Sequence, residues 1–313
     1  MLEIPLSIPA HLESHRSSAY KEFIDEARQL GIPEAIQQDY FDAIFAIAAW
    51  TTANAELKAA ELKAAELKAP LSLGVAGAQG SGKSTLAVLL SKLLDKTFDL
   101  EPCVLSLDDF YKTRAAREQL ARDIHPLLKV RGVPGTHDMS LMNTVISDLK
   151  AGLETRIPQF DKGNDDRSAY RVLSGKPSVL ILEGWCWGAR PVAEWDLVEP
   201  VNQLEAEQDS DALWRTYVNE CLAHADYQRA FHSVNQLIYL AVPDMESVYR
   251  WRLQQEQALA ERGDRVMNEA QVREFIMYYE RITRRMLAEM PDRADITLCL
   301  DSDHSIEAFK VRD

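Results

Sequence analysis

From Gly77 to Thr85 the chain reads GAQGSGKST, a G-x-x-x-x-G-K-S pattern set between a short apolar run and a stretch rich in helix formers. Each residue type at that spacing has a use. Gly77, Gly80 and Gly82 let the backbone curl so that successive N–H groups, including those of Ala78, Gln79 and Ser81, point inward at anionic oxygens. A helix beginning near Lys83 adds the partial positive charge of its N-terminus. The Lys83 ammonium reaches the β- and γ-phosphates, the Ser84 hydroxyl is a ligand for Mg²⁺, and Thr85 completes the loop. With a strand before and a helix after, the pattern predicts a cradle for a nucleoside triphosphate.

Two acids follow at places where such a loop needs them. Glu183 ends the apolar run VLILEG, and at a strand tip beside the phosphates it can hold Mg²⁺ through water or orient the reacting groups. Gly184 then lets the chain turn away without covering the ligand. The stretch SLDDFYKT, residues 106–113, sets Asp108 and Asp109 after another apolar run. A carboxylate in a buried cleft is costly unless a proton, a metal or a substrate compensates it. Opposite a γ-phosphate, Asp108 can accept the proton of an attacking hydroxyl. Both aspartates can instead cap the next segment, and Asp109 can also contact a metal through water.

The elements that must position these groups are visible as alternating patterns. Strand-like runs fall at 71–77, 104–107, 178–184, 237–242 and 296–300, with helical segments at 83–95, 244–262 and 269–289. This alternation predicts an α/β fold, a doubly wound and mostly parallel sheet spanning 70–313 as one domain. The strand ends are where such sheets place ligands. Phe275, Tyr279 and Ile282 lie at helical spacing and read as core. Residues 192–215 read as a local insertion or variable loop. Residues 1–69 read as a helical N-terminal extension, with 34–52 rich in Ala, Ile and Phe. Its end, AELKAAELKAAELKAP at 55–70, repeats every five residues; that period drifts around a helix and predicts a solvated spacer stopped by Pro70. If the extension closes the acceptor side, its removal should weaken acceptor binding alone.

The bulk numbers narrow the partners. A net charge of −14 excludes nucleic acid as the main partner, while leaving room for a locally basic pocket that binds small anions. Four scattered cysteines without a C-x-x-C pair fit a reduced chain without structural zinc. The first twenty residues lack a basic region followed by an apolar core, and no apolar run reaches the length of a membrane span. A cytoplasmic protein is the expectation.

The order of these motifs resembles a known group. A phosphate loop, then D-x-F-Y at Asp108, Phe110 and Tyr111, then a strand ending in Glu-Gly is similar to the uridine kinase, phosphoribulokinase and pantothenate kinase group of P-loop kinases. In that group the first acid of D-x-F-Y is the catalytic base, here Asp108. HPLLKVRGVPGTHD (125–138), IPQFDKGNDDR (157–167), LEGWCWGARP (182–191) and WRLQQE (251–256) further resemble the D-glycerate 3-kinase family. The resemblance runs from about residue 70 to the C-terminus and leaves the AELKA repeat unplaced. It implies an ATP- and Mg²⁺-dependent phosphotransferase whose alcohol acceptor is D-glycerate. A nucleoside or pantothenate is the alternative acceptor, and a P-loop ATPase switch is the alternative class.

The acceptor candidates are Tyr111, Arg131, Thr136, His137, Asp161, Lys162 and Arg167. In RGVPGTHD, prolines and glycines fix a tight loop on which polar side chains can converge. Arg131 is the natural bidentate partner for a carboxylate, which glycerate has and a nucleoside lacks. His137 can bond a substrate hydroxyl or cap the following helix, and Asp138 reads as that cap. The resemblance places the segment of Asp161, Lys162 and Arg167 beside the acceptor, where the two cations can gather negative charge. Arg250 and Arg252 follow strand 237–242; in this kinase type a helical lid brings in such arginines, Arg252 being the better match, although an i,i+4 pair with Glu256 is equally open. Trp185 and Trp187 read as core aromatics or as walls of the acceptor pocket.

Overall fold

The computed structural model describes residues 2–61, 70–261 and 266–312. Its strands are β1 (Leu71–Gly77), β2 (Pro102–Ser106), β3 (Thr155–Asp161), β4 (Asp166–Leu173), β5 (Val179–Gly184), β6 (Gln236–Ala241), β7 (Ile296–Leu300) and β8 (Ile306–Val311). The main sheet runs β2-β5-β1-β6-β7-β8, parallel except for the β7–β8 pair. Every residue of β1 and β5 is buried, as strands covered by helices on both faces must be. Register carries the chemistry: Glu183 of β5 lies opposite Val75 of β1 and opposite Ser106 of β2. One acid thus stands beside the phosphate loop and beside the turn that bears Asp108.

The helices are α1 (Ala10–Glu13), α2 (Arg16–Gln29), α3 (Glu34–Glu61), α4 (Lys83–Phe98), α5 (Arg114–Asp123), α6 (Met139–Ala151), α7 (Gln203–Gln208), α8 (Leu213–Ala223), α9 (Ala225–Phe231), α10 (Met245–Glu261) and α11 (Glu269–Glu289). On one face of the sheet α4 packs with α2 and α3, whose Ala43–Ala49 stretch is buried on every side. A helix apolar all round is a core helix. The opposite face is filled by α6, Trp185, Trp187, α9 and α11. The N-terminal helices pack on α4, β1 and β8. Helix α3 runs to Glu61; the rest of the AELKA repeat, 62–69, lies outside the described residues. Among the described residues no helix is long and apolar enough to cross a membrane.

Two strand pairs escape the sequence pattern. The hairpin β3–β4 stands apart from the main sheet, and β8 adds an antiparallel edge after the turn 301–305. The segment 192–215, read as a local insertion or variable loop, contains α7 and the start of α8 and is packed. Leu204 and Trp214 pack with Leu127, Leu128 and Val133 beneath the RGVPG loop. Asp209 is fully buried and pairs with Arg215 at 2.9 Å, while Glu205 takes Arg281 Nε at 2.9 Å. Two of the acids that gave this stretch a loop-like composition, Glu205 and Asp209, are buried partners of guanidinium groups.

Candidate active site

The phosphate loop leaves β1 at Gly77 and enters α4 at Lys83. Gly82, the residue before the helix, has φ of 88°, a left-handed conformation that only glycine adopts without strain. The Lys83 ammonium donates to the carbonyl of Ala78 at 3.0 Å, so it folds back over its own loop. Burial pulls its pKa below the ordinary lysine range, and the charges of Glu183 and Asp108 oppose that pull. The Ser84 hydroxyl donates to Glu183 Oε1 at 3.1 Å. These two oxygens fit Mg²⁺ as a hard cation that takes one or two protein oxygens and completes its shell with water and phosphate. Among the described residues no cluster of three or more His, Cys, Asp or Glu forms a self-sufficient metal cage, which that kind of site does not need.

Asp108 lies not on β2 itself but one turn beyond it, in the 3₁₀ turn Leu107–Phe110 capped by the Ser106 hydroxyl. Its Oδ1 accepts the Tyr111 hydroxyl at 2.9 Å and its Oδ2 accepts the Lys162 ammonium at 2.6 Å. Burial alone would push this acid up; the Lys162 ion pair, the Tyr111 hydroxyl and the Lys83 charge together hold its pKa at about 2. Asp109 faces elsewhere. It accepts the N–H of Phe160 at 3.2 Å and ties the turn to β3, with burial raising its pKa. It thereby latches the hairpin that delivers Lys162, and it is not the residue that caps the next helix, which Thr113 does.

Around this pair the other candidates separate into two groups. Tyr111, Lys162, Arg131 and His137 gather near Asp108. Tyr111 stacks on the His137 imidazole with centroids 4.7 Å apart. His137 is buried, its Nδ1 lies 2.8 Å from the Tyr227 hydroxyl, and its Nε2 has no hydrogen-bond partner among the described residues. Burial lowers its pKa to about 3, so it stays neutral. Arg131 pairs with Asp165 and lies 5.3 Å from the Phe160 ring centroid, bridging the RGVPG loop to the hairpin turn.

Thr136, Asp161 and Arg167 make hydrogen bonds within the loops around this group. The Thr136 hydroxyl donates to Val133 O at 2.7 Å and accepts from Gly132 N at 3.0 Å inside its own loop. Asp161 accepts the N–H groups of Gly163 and Asn164 and so shapes the hairpin turn. Arg167 bonds the Tyr111 carbonyl and the carboxylate of Asp138, both at 2.8 Å. That carboxylate also caps α6, as expected.

Arg252 sits on α10 where the helix meets the phosphate loop; a Cβ on Gly80 would stand 3.5 Å from the Arg252 nitrogen. Its guanidinium pairs with Glu256, and its Nε finds no acceptor among the described residues. The i,i+4 pair is thus present but not solvated, since Glu256 is buried. Arg250, by contrast, bonds Ser247 Oγ at 3.0 Å. Trp185 and Trp187 are core: the Trp185 indole donates to Gly132 O at 2.9 Å, fastening the Glu183 strand to the RGVPG loop. Three contributors were not singled out in the sequence as site residues: Tyr279, whose hydroxyl donates to Arg131 O at 3.3 Å, Tyr227 behind His137, and His304 beside Gly80. Tyr279 carried only a helical core signal; the other two stand outside any motif.

Comparison with known proteins agrees with this geometry. Residues 72–192 match the Phosphoribulokinase / Uridine kinase family. The uncharacterized kinase mug58 of Schizosaccharomyces pombe is 36% identical over 67% of this chain and 78% of its own length. A chloroplastic D-glycerate 3-kinase of Arabidopsis thaliana is 32% identical over 67% of this chain, which spans only 46% of that longer protein. Among solved structures, a D-glycerate 3-kinase from Cryptococcus neoformans superposes with a TM-score of 0.72 at 25% identity, over 86% of this chain and 99% of that one. Fold, site and relatives together define an ATP-dependent phosphotransferase of the P-loop kinase class. The chain belongs to the Phosphoribulokinase / Uridine kinase family.

Proposed function

We propose that this kinase transfers the γ-phosphate of ATP to a hydroxyl of D-glycerate, with Asp108 as the base. The observation that carries the reading is Asp108 itself: a carboxylate one turn past a strand adjacent to the β5 acid, held ionised by Lys162 and Tyr111. In the reaction Asp108 takes the proton of the acceptor hydroxyl, whose oxygen bonds to the γ-phosphorus as the bond to the β–γ bridging oxygen breaks and ADP leaves. Lys83, Arg252 and Lys162 face charge that spreads over the transferring oxygens. Mg²⁺, for which Ser84 and Glu183 are the protein oxygens, would neutralise charge on the β- and γ-phosphates.

Lys162 has a double part. Paired with Asp108 in the free enzyme, it suppresses the basicity of that carboxylate. When an anionic phosphate competes for the ammonium, Asp108 recovers its capacity to accept a proton. The choice of glycerate rests on Arg131, a planar cation beside the Asp108 group, and on the neutral His137 whose buried Nε2 suits a hydroxyl. Two relatives that carry the D-glycerate 3-kinase name support it. The test is ATP consumption by the purified protein with Mg²⁺ and, separately, D-glycerate, L-glycerate, uridine, pantothenate or no acceptor. Turnover with D-glycerate alone is expected. Turnover with uridine or pantothenate instead would overturn the acceptor, and turnover without any acceptor would overturn the kinase reading in favour of an ATPase.

A further inference from the structure

One side chain of the N-terminal helices reaches the turn that borders the phosphate loop. Tyr40 of α3 is buried, and its hydroxyl donates to the backbone carbonyl of His304 at 2.9 Å. His304 sits in the β7–β8 turn with φ of 70°, and its Nε2 lies 2.9 Å from the carbonyl of Gly80. A carbonyl only accepts, so Nε2 carries the proton and donates. The imidazole also stacks on Trp251 with centroids 3.9 Å apart and 25° between planes. The Trp251 indole in turn donates to Ser302 O at 2.9 Å, closing a ring of contacts between the turn and α10.

Gly80 is where such a brace matters. Its φ is 79°, and a Cβ there would stand 2.8 Å from Trp251 Cβ, so only glycine fits. A glycine is also the residue whose neighbouring peptide reorients most freely. In a trans peptide the C=O and the following N–H point in opposite directions. Holding the Gly80 carbonyl against His304 therefore fixes the direction of the Ser81 N–H, which donates to the Ala78 carbonyl at 3.3 Å and closes the turn that shapes the phosphate cradle.

We propose that Tyr40 and His304 are positioning residues for the nucleotide: Tyr40 holds the 301–305 turn, His304 holds the Gly80–Ser81 peptide, and the N-terminal helices are thereby part of the phosphate site. This rests on the phosphate-loop reading and is independent of which acceptor the enzyme uses.

The test measures the ATP dissociation constant calorimetrically, with Mg²⁺ and no acceptor, on full-length Tyr40→Phe, His304→Ala, the double variant and His304→Gln. Loss of a single hydrogen bond predicts a weakening of about two- to fivefold for Tyr40→Phe and about three- to tenfold for His304→Ala. The double variant should bind as His304→Ala does, because Tyr40 then has no imidazole to position. Gln at 304, whose amide N–H can donate to Gly80 O, should recover most of the loss. The phenylalanine variant removes one oxygen and keeps the buried ring, so it folds. Unchanged ATP affinity in both single variants with only a lowered melting temperature would overturn the proposal, as would independent, multiplying effects in the double. Failure of the unmodified protein to bind ATP would instead overturn the phosphate-loop reading on which it stands.

Discussion

Replacing Lys162 with methionine removes the ammonium from Asp108 and keeps most of the stem. In the unmodified protein burial raises the Asp108 pKa, and the Lys162 charge and hydrogen bond, then the Tyr111 bond and Lys83, bring it down from 3.8 to about 2. Without Lys162 the two largest influences that lower it are lost while burial remains, so the acid moves up from about 2. The consequence is readable in the acid limb of kcat/KM, which reports groups of the free enzyme. At pH 4 the carboxylate of the unmodified protein is about 99% ionised, and the variant's is less so. ATP and an acidic acceptor also titrate there, so the variant and the unmodified enzyme are compared on the same substrates between pH 4 and 8.

Stability gives a second reading of the same pair. A depressed carboxylate contributes stability that is present above its unfolded value, near 3.8, and lost as pH falls towards about 2. Because the Lys162 side chain is 64% exposed, solvent screening reduces that contribution to about 1 kcal/mol. Urea denaturation should therefore show Lys162→Met less stable by about that amount at pH 7 and nearly equal to the unmodified protein at pH 2. An acid limb that coincides in the two enzymes would refute the reasoning, whatever happens to kcat.

Two further outcomes follow from the site and its support. Glu183→Gln keeps the shape of the β5 tip but weakens the partner of Ser84, so the Mg²⁺ concentration for half-maximal rate should rise about tenfold or more, measured by metal titration at saturating ATP; an unchanged requirement would remove Glu183 from the metal site. Asp209→Ala leaves the Arg215 guanidinium buried without its carboxylate, and urea unfolding should show a loss of about 3–5 kcal/mol. A loss below about 1 kcal/mol would mean that this buried pair does not hold the segment 192–215 in place.

What the sequence made legible was chemistry written in contiguous residues. GAQGSGKST specifies a loop because glycine, lysine and serine act there through the backbone and through immediate neighbours. The apolar runs of β1 and β5 announce strands buried on both faces. What stayed hidden depends on partners that residue type does not announce, whether far along the chain or backbone atoms close by. Asp109 looked like a cap because capping is local; its partner Phe160 is 51 residues away. Thr136 looked available to a ligand because its partners, Val133 and Gly132, are backbone atoms of its own loop and leave no trace in side-chain pattern. The β3–β4 hairpin was obscured by polar residues on both faces, which a strand outside the main sheet can carry. Residues 192–215 look solvated because composition does not show that Asp209 folds back onto Arg215 of the same segment, or that Arg281 of α11 reaches Glu205.

The central claim is that Asp108 performs the proton transfer and is not needed to hold ATP. Asp108→Asn tests both halves at once, because asparagine keeps the size and can still accept from Tyr111 but cannot take a proton. Measured together, kcat with D-glycerate should fall by about 10²- to 10⁴-fold, while the ATP dissociation constant stays within about threefold. A near-normal kcat would contradict the account directly, and a lost ATP site would show that Asp108 belongs to the nucleotide rather than to the acceptor.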